Sequence, residues 1–366
     1  MMAEFILRNL LHRPLRTLIG IMAVAVEVAL VVLIVGLTSG MLAETAKRIQ
    51  GIGADVMVQS PAASYLIGIS GAPMPIKIRD KLAELKYVKD AAPALLQFNS
   101  TGSVETVWGI DSASFRAVSG GFVFLEGHDL EGPDDLLVDD WAAKAKHIKV
   151  GDTYNILNHD WHVVGVIEHG KGARIFVPLT TLQDLVGALD KATIFLVKCT
   201  RPEHTDDVLG EIRHLLPGYT VRPLSAFLSL MTSTNIPGLQ TFINAMISLA
   251  VAIGLLVIFL TMYTTVLERT RDIGVLKSIG AGRVFIVRAL LSESAGLCLL
   301  GIAAGVGLSY AVRAAFLAGF PTLSIEITLD WILRAAGIAL LGAMLGASYP
   351  AWMASRKDAI EALSYD

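Results

Sequence analysis

The densest group of chemistry-bearing residues is Glu268-Arg-Thr-Arg-Asp-Ile-Gly-Val-Leu-Lys-Ser-Ile-Gly-Ala281, a charged, helix-compatible run lying between two long apolar stretches. In a helix, Arg269, Asp272 and Leu276 fall roughly on one face at i, i+3 and i+7, with Ile273 and Lys277 beside them. An apolar ridge flanked by charges suits docking rather than bond-making, and Gly280 permits a tight exit before Arg283. Glu268, Arg269, Arg271, Asp272, Ile273, Leu276 and Lys277 are therefore the candidate contacts to a partner outside the bilayer. The competing reading is a helix at the membrane surface whose basic side chains snorkel.

Two carboxylates lie inside apolar stretches. Glu27 sits near the middle of the first, where a charge is costly unless paired, protonated or exposed to a watery cavity. It reads equally as part of a cargo or conformational site between protomers and as a group hydrogen-bonded to a neighbouring helix. Glu293 lies close to Arg288 in sequence, which favours a structural pairing role.

Catalytic and metal chemistry find little support. His159 and His162, with His169 nearby, have mixed strand parity, and no cysteine or carboxylate completes a familiar ligand spacing. There is no Gly-x-Ser-x-Gly elbow and no His-Glu-x-x-His. The pairs Asp134-Asp135 and Asp139-Asp140 flank a short strand as solvated turns would. No Gly-x4-Gly-Lys-Ser/Thr loop occurs, so the sequence has no phosphate cradle and energy is expected from elsewhere. Cys199 and Cys298 imply no disulfide framework.

The elements that position these residues follow from composition. Of 366 residues, 54% are hydrophobic and 17% charged, and the mean hydropathy is +0.60, values of a membrane protein with a substantial polar part. Leu18–Leu37, Phe242–Val266, Leu290–Val312 and Trp331–Trp352 are each long enough to cross a hydrocarbon core of about 30 Å as helix. The first is too apolar for too long to be a cleaved signal.

Arg8, Arg13 and Arg16 flank span one, Arg269, Arg271, Lys277, Arg283 and Arg288 separate spans two and three, and Arg356 and Lys357 follow span four. The loop between spans three and four has no Lys or Arg between Leu317 and Asp330. By the positive-inside rule both termini are cytoplasmic, and the protein is a multi-pass protein of the inner (plasma) membrane. The expected organisation is a cytoplasmic amphipathic helix over 1–17 and span one with the start of a stalk over 18–40. An extracytoplasmic domain over 41–240 follows, and then span two over 241–266. The charged region occupies 267–288, span three 289–313, a short outer loop 314–330, span four 331–353 and a cytoplasmic tail 354–366. Arg313 and Arg334 lie near outer span ends and can snorkel. Gly301-x3-Gly305 and Gly342-x3-Gly346 allow close helix approach, with packing of span three against span four within one protomer favoured over dimerisation.

The 41–240 segment alternates apolar and β-branched runs with turn residues and reads as a folded α+β domain. Its 18 Lys+Arg against 23 Asp+Glu make it mildly acidic, which gives no support for nucleic-acid binding. Ile76–Tyr87 reads as a strand leading into an amphipathic helix and Val88–Phe98 as a strand. Pro202–Leu216 reads as a helix between the strand Thr193–Cys199 and the extended Tyr219–Arg222. Short strands over Val104–Ile110, Asp135–Val138, Thr153–Leu157, His162–Glu168 and Ile175–Val177 make a β-rich insertion, about 104–190, in an α/β pair.

One span, a large outer domain and three further spans, with Glu-Arg-x-Arg-Asp-Ile-Gly-x-Leu-Lys-x-Ile-Gly-Ala at 268–281, resembles the permease subunit of the MacB/FtsX/lipoprotein-releasing class of ABC transporters, the type VII or mechanotransmission class. Further agreement lies in Arg8-Asn-Leu-Leu-His-Arg-Pro-Leu-Arg-Thr17, in Val150-Gly-Asp-Thr with Val163-Val-Gly-Val-Ile167 and Ile175-Phe-Val-Pro-Leu179, and in Pro350-Ala-Trp-Met-Ala-Ser-Arg356 with Ile360-Glu-Ala-Leu363. The family commonly has Glu where Asp272 stands, Pro at Ala359 and a basic residue at Ser364. The resemblance implies four transmembrane helices and an extracytoplasmic domain made of a porter-like α/β subdomain with an inserted β-rich subdomain.

It further implies a non-catalytic permease subunit that works as a homodimer or beside a related permease. Its coupling helix at 268–281 would be driven by a cytoplasmic ABC ATPase subunit, which binds the ATP and Mg. Cargo would be a hydrophobic or lipid-linked molecule taken from the outer leaflet or periplasm, with a membrane-fusion adaptor or outer-membrane partner available to receive it. The alternative is an FtsX-like signalling permease that switches an outer partner and moves no cargo. Tyr65-Leu-Ile-Gly-Ile-Ser-Gly71 reads either as a surface touching cargo or lipid near the membrane or as a buried strand and turn, the second slightly favoured.

Overall fold

Apolar runs of twenty residues leave helix as the backbone form that satisfies its own hydrogen bonds in lipid, and the computed structural model of the chain has four such helices among its described residues. It describes residues 14–61, 73–99, 105–230, 236 and 238–356. Residues 1–13 of the leading amphipathic segment, Tyr65–Gly71 and Ile360–Leu363 lie outside the described residues.

In chain order, α1 (Pro14–Gly51) is followed by β1 (Val56–Gln59), β2 (Met74–Pro75), α2 (Ile78–Ala83), β3 (Val88–Asn99), β4 (Glu105–Ile110), α3 (Ser112–Ser119), β5 (Phe124–Gly127), β6 (Asp135–Asp139) and α4 (Asp140–Lys146). Then come β7 (Thr153–Ile156), β8 (His159–Ile167), β9 (Ile175–Pro178), α5 (Leu179–Leu185), β10 (Lys191–Ala192), β11 (Ile194–Cys199), a 3-10 turn at Pro202–His204, α6 (Thr205–Leu215), β12 (Thr220–Pro223) and α7 (Leu224–Leu230). The last described elements are α8 (Leu239–Glu268), α9 (Thr270–Ser278), α10 (Arg283–Gly319) and α11 (Leu329–Arg356). Two compact units result: a helical one of 1–40, 237–318 and 325–366, and a mixed α/β one of 41–236 and 319–324.

In the helical unit, α1 buries Val24, Val28, Val31, Val32 and Val35 at three- and four-residue steps, and α11 presents Ala335, Ala339, Ala343, Ala347 and Ala351 at every fourth residue. Such small residues let backbones approach, and the glycines sharpen the effect. A Cβ on Gly301 would stand 2.5 Å from Val24 Cβ, and one on Gly305 2.7 Å from the Ala25 carbonyl. On α11, a Cβ on Gly346 would stand 2.8 Å from the Leu255 carbonyl. The glycine pairs thus seat α10 on α1 and α11 on α8. The expectation that they join span three to span four is corrected, because each stripe faces a helix earlier in the chain.

In the α/β unit, one mixed sheet runs in the order β12-β1-β11-β3-β4-β9-β6-β8-β5, with β7 paired to β8. The pairs β4·β9 and β6·β8 are parallel and the others antiparallel. The twelve-residue β3 makes the sheet continuous: Val88–Ala94 pairs with β11 and Ala94–Asn99 with β4. One core, holding Val56, Val58, Leu82, Phe195, Val197, Val208 and Ile212, lies beneath α2 and α6. A second contains Leu95, Val107, Leu136, Trp161, Ile175 and Leu182. Fully burying one such aliphatic side chain contributes roughly 1.5–3 kcal/mol.

The expected strands fall within a few residues of their positions, whereas β1, β5 and β10 are additional, as are the helices α3, α4, α5 and α7. Two of them begin at aspartate N-caps: Asp111 accepts from Ser114 N at 2.9 Å and Asp139 from Ala142 N at 2.6 Å. The reading of Asp139-Asp140 and Asp134-Asp135 as solvated turns is therefore corrected. Asp139 is 1% exposed, and Asp135 accepts from Glu131 N at 2.8 Å and Gly132 N at 2.6 Å.

Candidate functional site

The charged segment forms α9, separated from α8 by a break at Arg269, whose φ of −101° and ψ of 17° interrupt the helix. Thr270 covers the break by donating its hydroxyl to the Val266 and Leu267 carbonyls at 3.0 and 2.8 Å. At the far end Gly280 takes φ 101°, a left-handed conformation that favours glycine. There Ala281 N donates to Leu276 O at 3.0 Å and Gly280 N to Lys277 O at 3.0 Å, closing the helix.

The seven candidate residues divide by face. Arg269, Ile273 and Lys277, at i, i+4 and i+8, face the bundle. Arg269 Nη1 lies 3.4 Å from Glu293 Oε2, Ile273 is buried in the helical core, and Lys277 Nζ donates to the Ser355 carbonyl at 2.8 Å, in the last turn of α11. A cation at a helix C-terminus meets the negative end of the helix dipole. Glu268, Arg271, Asp272 and Leu276 lie on the exposed side with Val275 and Ile279, the last of these 79% exposed. The structure therefore does not group Arg269 with Asp272 and Leu276. The break in the helix at Arg269 turns that side chain onto α10.

Val284 and Phe285, in the first turn of α10, extend the exposed apolar surface at 64% and 52% exposure. The sequence reading passed over Val275, Ile279, Val284 and Phe285, although an apolar run broken by glycines and flanked by Arg271 and Arg283 signals such a surface. The pairing expected for Glu293 is present, but with Arg269; Arg288 points to the exposed side.

Glu27, 6% exposed, is the one charged residue lining a groove of about 490 Å³ between α1 and α8, whose other walls include Leu18, Met22, Val26, Leu30, Ile253 and Val257. Gly254 makes room for it, since a Cβ there would collide with the carboxylate. Among the described residues no hydrogen bond or ion pair to Glu27 is formed. Arg313 Nε donates to the Ile325 carbonyl at 3.0 Å, and Arg334 pairs with Asp330 at 2.9 Å while lying over Trp331.

In the α/β unit the histidines pair separately: His159 Nε2 lies 2.8 Å from Asp134 Oδ1 and His169 Nδ1 2.9 Å from Asp140 Oδ1. Among the described residues no group of three or more His, Cys, Asp or Glu could hold a metal. Burial opposes the charge on Asp140, yet hydrogen bonds from His169 and Lys144 hold its carboxyl below the ordinary value. Burial likewise opposes the charge on Lys146, and contacts with Glu105 and Tyr154 outweigh it, holding the ammonium above its usual value. Cys199 and Cys298 are free and buried.

Residues 17–215, more than half of the chain, match the MacB-like periplasmic core domain family, and residues 244–359 match the FtsX-like permease C-terminal family. A macrolide export ATP-binding/permease protein MacB of Shewanella sp. (strain W3-18-1) is 26% identical over 96% of this chain and 58% of its own length. Another MacB, of Syntrophobacter fumaroxidans, is 34% identical over 44% of this chain and 23% of its own. The chain thus spans little more than half of the first relative and less of the second. Among solved structures, the periplasmic region of MacB from Actinobacillus actinomycetemcomitans aligns over 50% of this chain and 95% of its own, with 14% identity and a TM-score of 0.39. Both halves of the sequence carry the same assignment, and the chain belongs to the MacB/FtsX family of membrane permeases.

Proposed function

We propose that the chain is the permease subunit of an ATP-driven exporter and that α9 is its coupling helix. The observation that carries this reading is the division of α9 into an anchored face and a docking face. Arg269, Ile273 and Lys277 fix the helix to α10 and α11, so that Arg271, Asp272, Val275, Leu276 and Ile279 are presented on a rigid support. A partner gripping that face would move α8 and α10 with it. The partner that fits is a cytoplasmic ABC ATPase subunit supplying the ATP and Mg site, since relatives are named ATP-binding/permease proteins.

In this reading α9 and both termini are cytoplasmic, the membrane is the inner membrane, and the α/β unit lies outside. Two permease copies, or this chain and a related permease, clasp two ATPases; closing of the ATPases draws the α9 helices together and moves the outer units. The cargo class is a hydrophobic or lipid-linked molecule, consistent with the macrolide export named for relatives, passed on to an adaptor or outer-membrane partner.

The test is co-purification and ATPase stimulation with the cognate ATPase, using Arg271→Glu, Asp272→Arg and Leu276→Asp. Each is expected to reduce docking at least tenfold while leaving the fold intact, because a reversed charge or buried carboxylate at an interface centre costs more than about 1.4 kcal/mol. Undiminished docking and stimulation in all three would overturn the reading.

A further inference from the structure

The α/β unit holds a buried cluster of four charged side chains that the coupling reading does not use. Glu44 and Arg48 come from the last turns of α1, Asp139 from the end of β6, and Arg174 from the residue before β9. Arg174 Nη1 lies 3.8 Å from Asp139 Oδ2, and Arg48 Nε 3.8 Å from Glu44 Oε1. Arg48 is also within electrostatic reach of Arg174 and Asp139. All four of these atoms are buried without a hydrogen-bond partner among the described residues. The pairs are therefore held by charge rather than by directed bonds, in a cluster that is neutral as a whole.

Three chain segments converge on it. Arg174 Nη2 donates to the Thr322 carbonyl at 3.0 Å, in the 319–324 segment that connects α10 to α11. The Arg174 carbonyl accepts from Asp139 N at 2.8 Å, and its guanidinium lies over Trp141. Gly172 N donates to the Arg48 carbonyl at 2.7 Å, and the end of α1 presses so closely on this loop that a Cβ on Gly51 would meet the Gly170 carbonyl at 1.8 Å. Burial pushes the Asp139 carboxyl above its ordinary value, against the opposing pull of the Ala142 N–H and Arg174.

We propose that Arg174 is the positioning residue of a joint that fastens the end of α1 and the 319–324 segment to the sheet, so that displacement of either helix connection is delivered to β6 and β9. The joint rests on the coupling reading for its purpose but not for its existence. α1 and the α10–α11 connection both run straight from membrane helices, and Arg174 ties both to one strand pair. A neutral cluster of charges tolerates small shifts without losing its attraction, which suits a joint that must carry load while the helices tilt.

The test uses the full chain in lipid nanodiscs, with amide exchange read at 44–52, at 319–324 and, as reference, at 194–197 of β11. Arg174→Ala is expected to speed exchange about tenfold at 44–52 and 319–324 and to leave β11 unchanged. Arg174→Lys keeps the charge beside Asp139 and restores protection at 44–52, a rescue that loss of packing alone would not give. Asp139→Asn preserves the helix cap and volume, and is expected to loosen 44–52 as Arg174→Ala does; it serves where Arg174→Ala does not fold. Exchange unchanged at both segments, or raised equally in β11, overturns the joint, as does an Asp139→Asn protein with parent-like exchange at 44–52. No ATPase is present in this measurement, so undiminished docking of the α9 variants in the separate ATPase assay, with this exchange pattern intact, would sink the coupling reading alone. In the assembly with ATPase, nucleotide-dependent exchange changes at 135–139 and 175–178 are expected in the parent and absent in Arg174→Ala; their persistence would refute delivery through Arg174.

Discussion

Arg269 Nη1 and Glu293 Oε2, 3.4 Å apart, join the break between α8 and α9 to the third membrane helix. Glu293 is 9% exposed, so removing its cation leaves a carboxylate with little water. Arg269→Ala is expected to destabilise the helical unit by about 2–4 kcal/mol, between the values for exposed and fully buried pairs. Glu293→Gln should cost less, and the double variant Arg269→Ala/Glu293→Gln should recover part of the loss. A double-mutant cycle on unfolding in detergent measures the coupling; strict additivity would show that the two side chains do not act as a pair.

The glycine stripes make a packing prediction. Gly301→Leu forces a side chain into Val24 and the Ile21 carbonyl, and Gly346→Leu forces one into the Leu255 carbonyl. Overpacking of this kind costs about 1–3 kcal/mol or more where backbone must move. Gly307→Leu and Gly337→Leu, where a Cβ meets nothing within 4 Å, serve as controls and should be near neutral. Equal loss of folded yield at all four positions would remove the distinction between seam and lipid face.

What the sequence could tell depended on how local the cause was. The four membrane helices are written in uninterrupted apolar runs, and most strands of the α/β unit in alternation bounded by turn residues, so both were legible. The helical character of 268–281 was legible for the same reason, and so was the need for a partner to Glu293. The identity of that partner was not, because Arg288 is closer in sequence and only the bend at Arg269 brings the other arginine round. The facing of Gly301 and Gly346 was illegible for a similar reason: small-residue spacing states that a helix comes close but not which helix. Asp139 was misread because a solvated aspartate pair and a capping aspartate followed by a helix have the same local composition. The Arg174 cluster gathers residues from 44 to 322 and has no signature in any window.

Acid should unfold the α4 region in a way that depends on Asp140. Hydrogen bonds from His169 and Lys144 hold the Asp140 carboxyl below its ordinary value of 3.8, despite burial. A carboxyl depressed in the folded state contributes stability that is present above its unfolded value and lost as pH falls through the folded one. Asp140→Asn should therefore speed amide exchange in 135–146 at pH ~6, and the difference from the parent should shrink as pH falls below about 4. A difference that stays constant down to pH ~2.5 would assign the effect to packing instead.

Lys277 tests whether α9 is held from within. Its ammonium donates to the Ser355 carbonyl at 2.8 Å, where the last turn of α11 leaves carbonyls without intrahelical partners. Lys277→Met keeps the apolar stem but removes the cation and the donor. The expected cost is about 1 kcal/mol, the usual worth of a cationic contact at a helix C-terminus. The loss should appear as faster exchange at 350–356 and in α9 together, since one bond serves both. ATPase docking should weaken only in step with that loosening, unlike the direct loss expected from Arg271→Glu. If Lys277→Met abolishes docking while α9 and 350–356 keep parent-like exchange, Lys277 is a contact to the partner, and the inward face assigned to it is wrong.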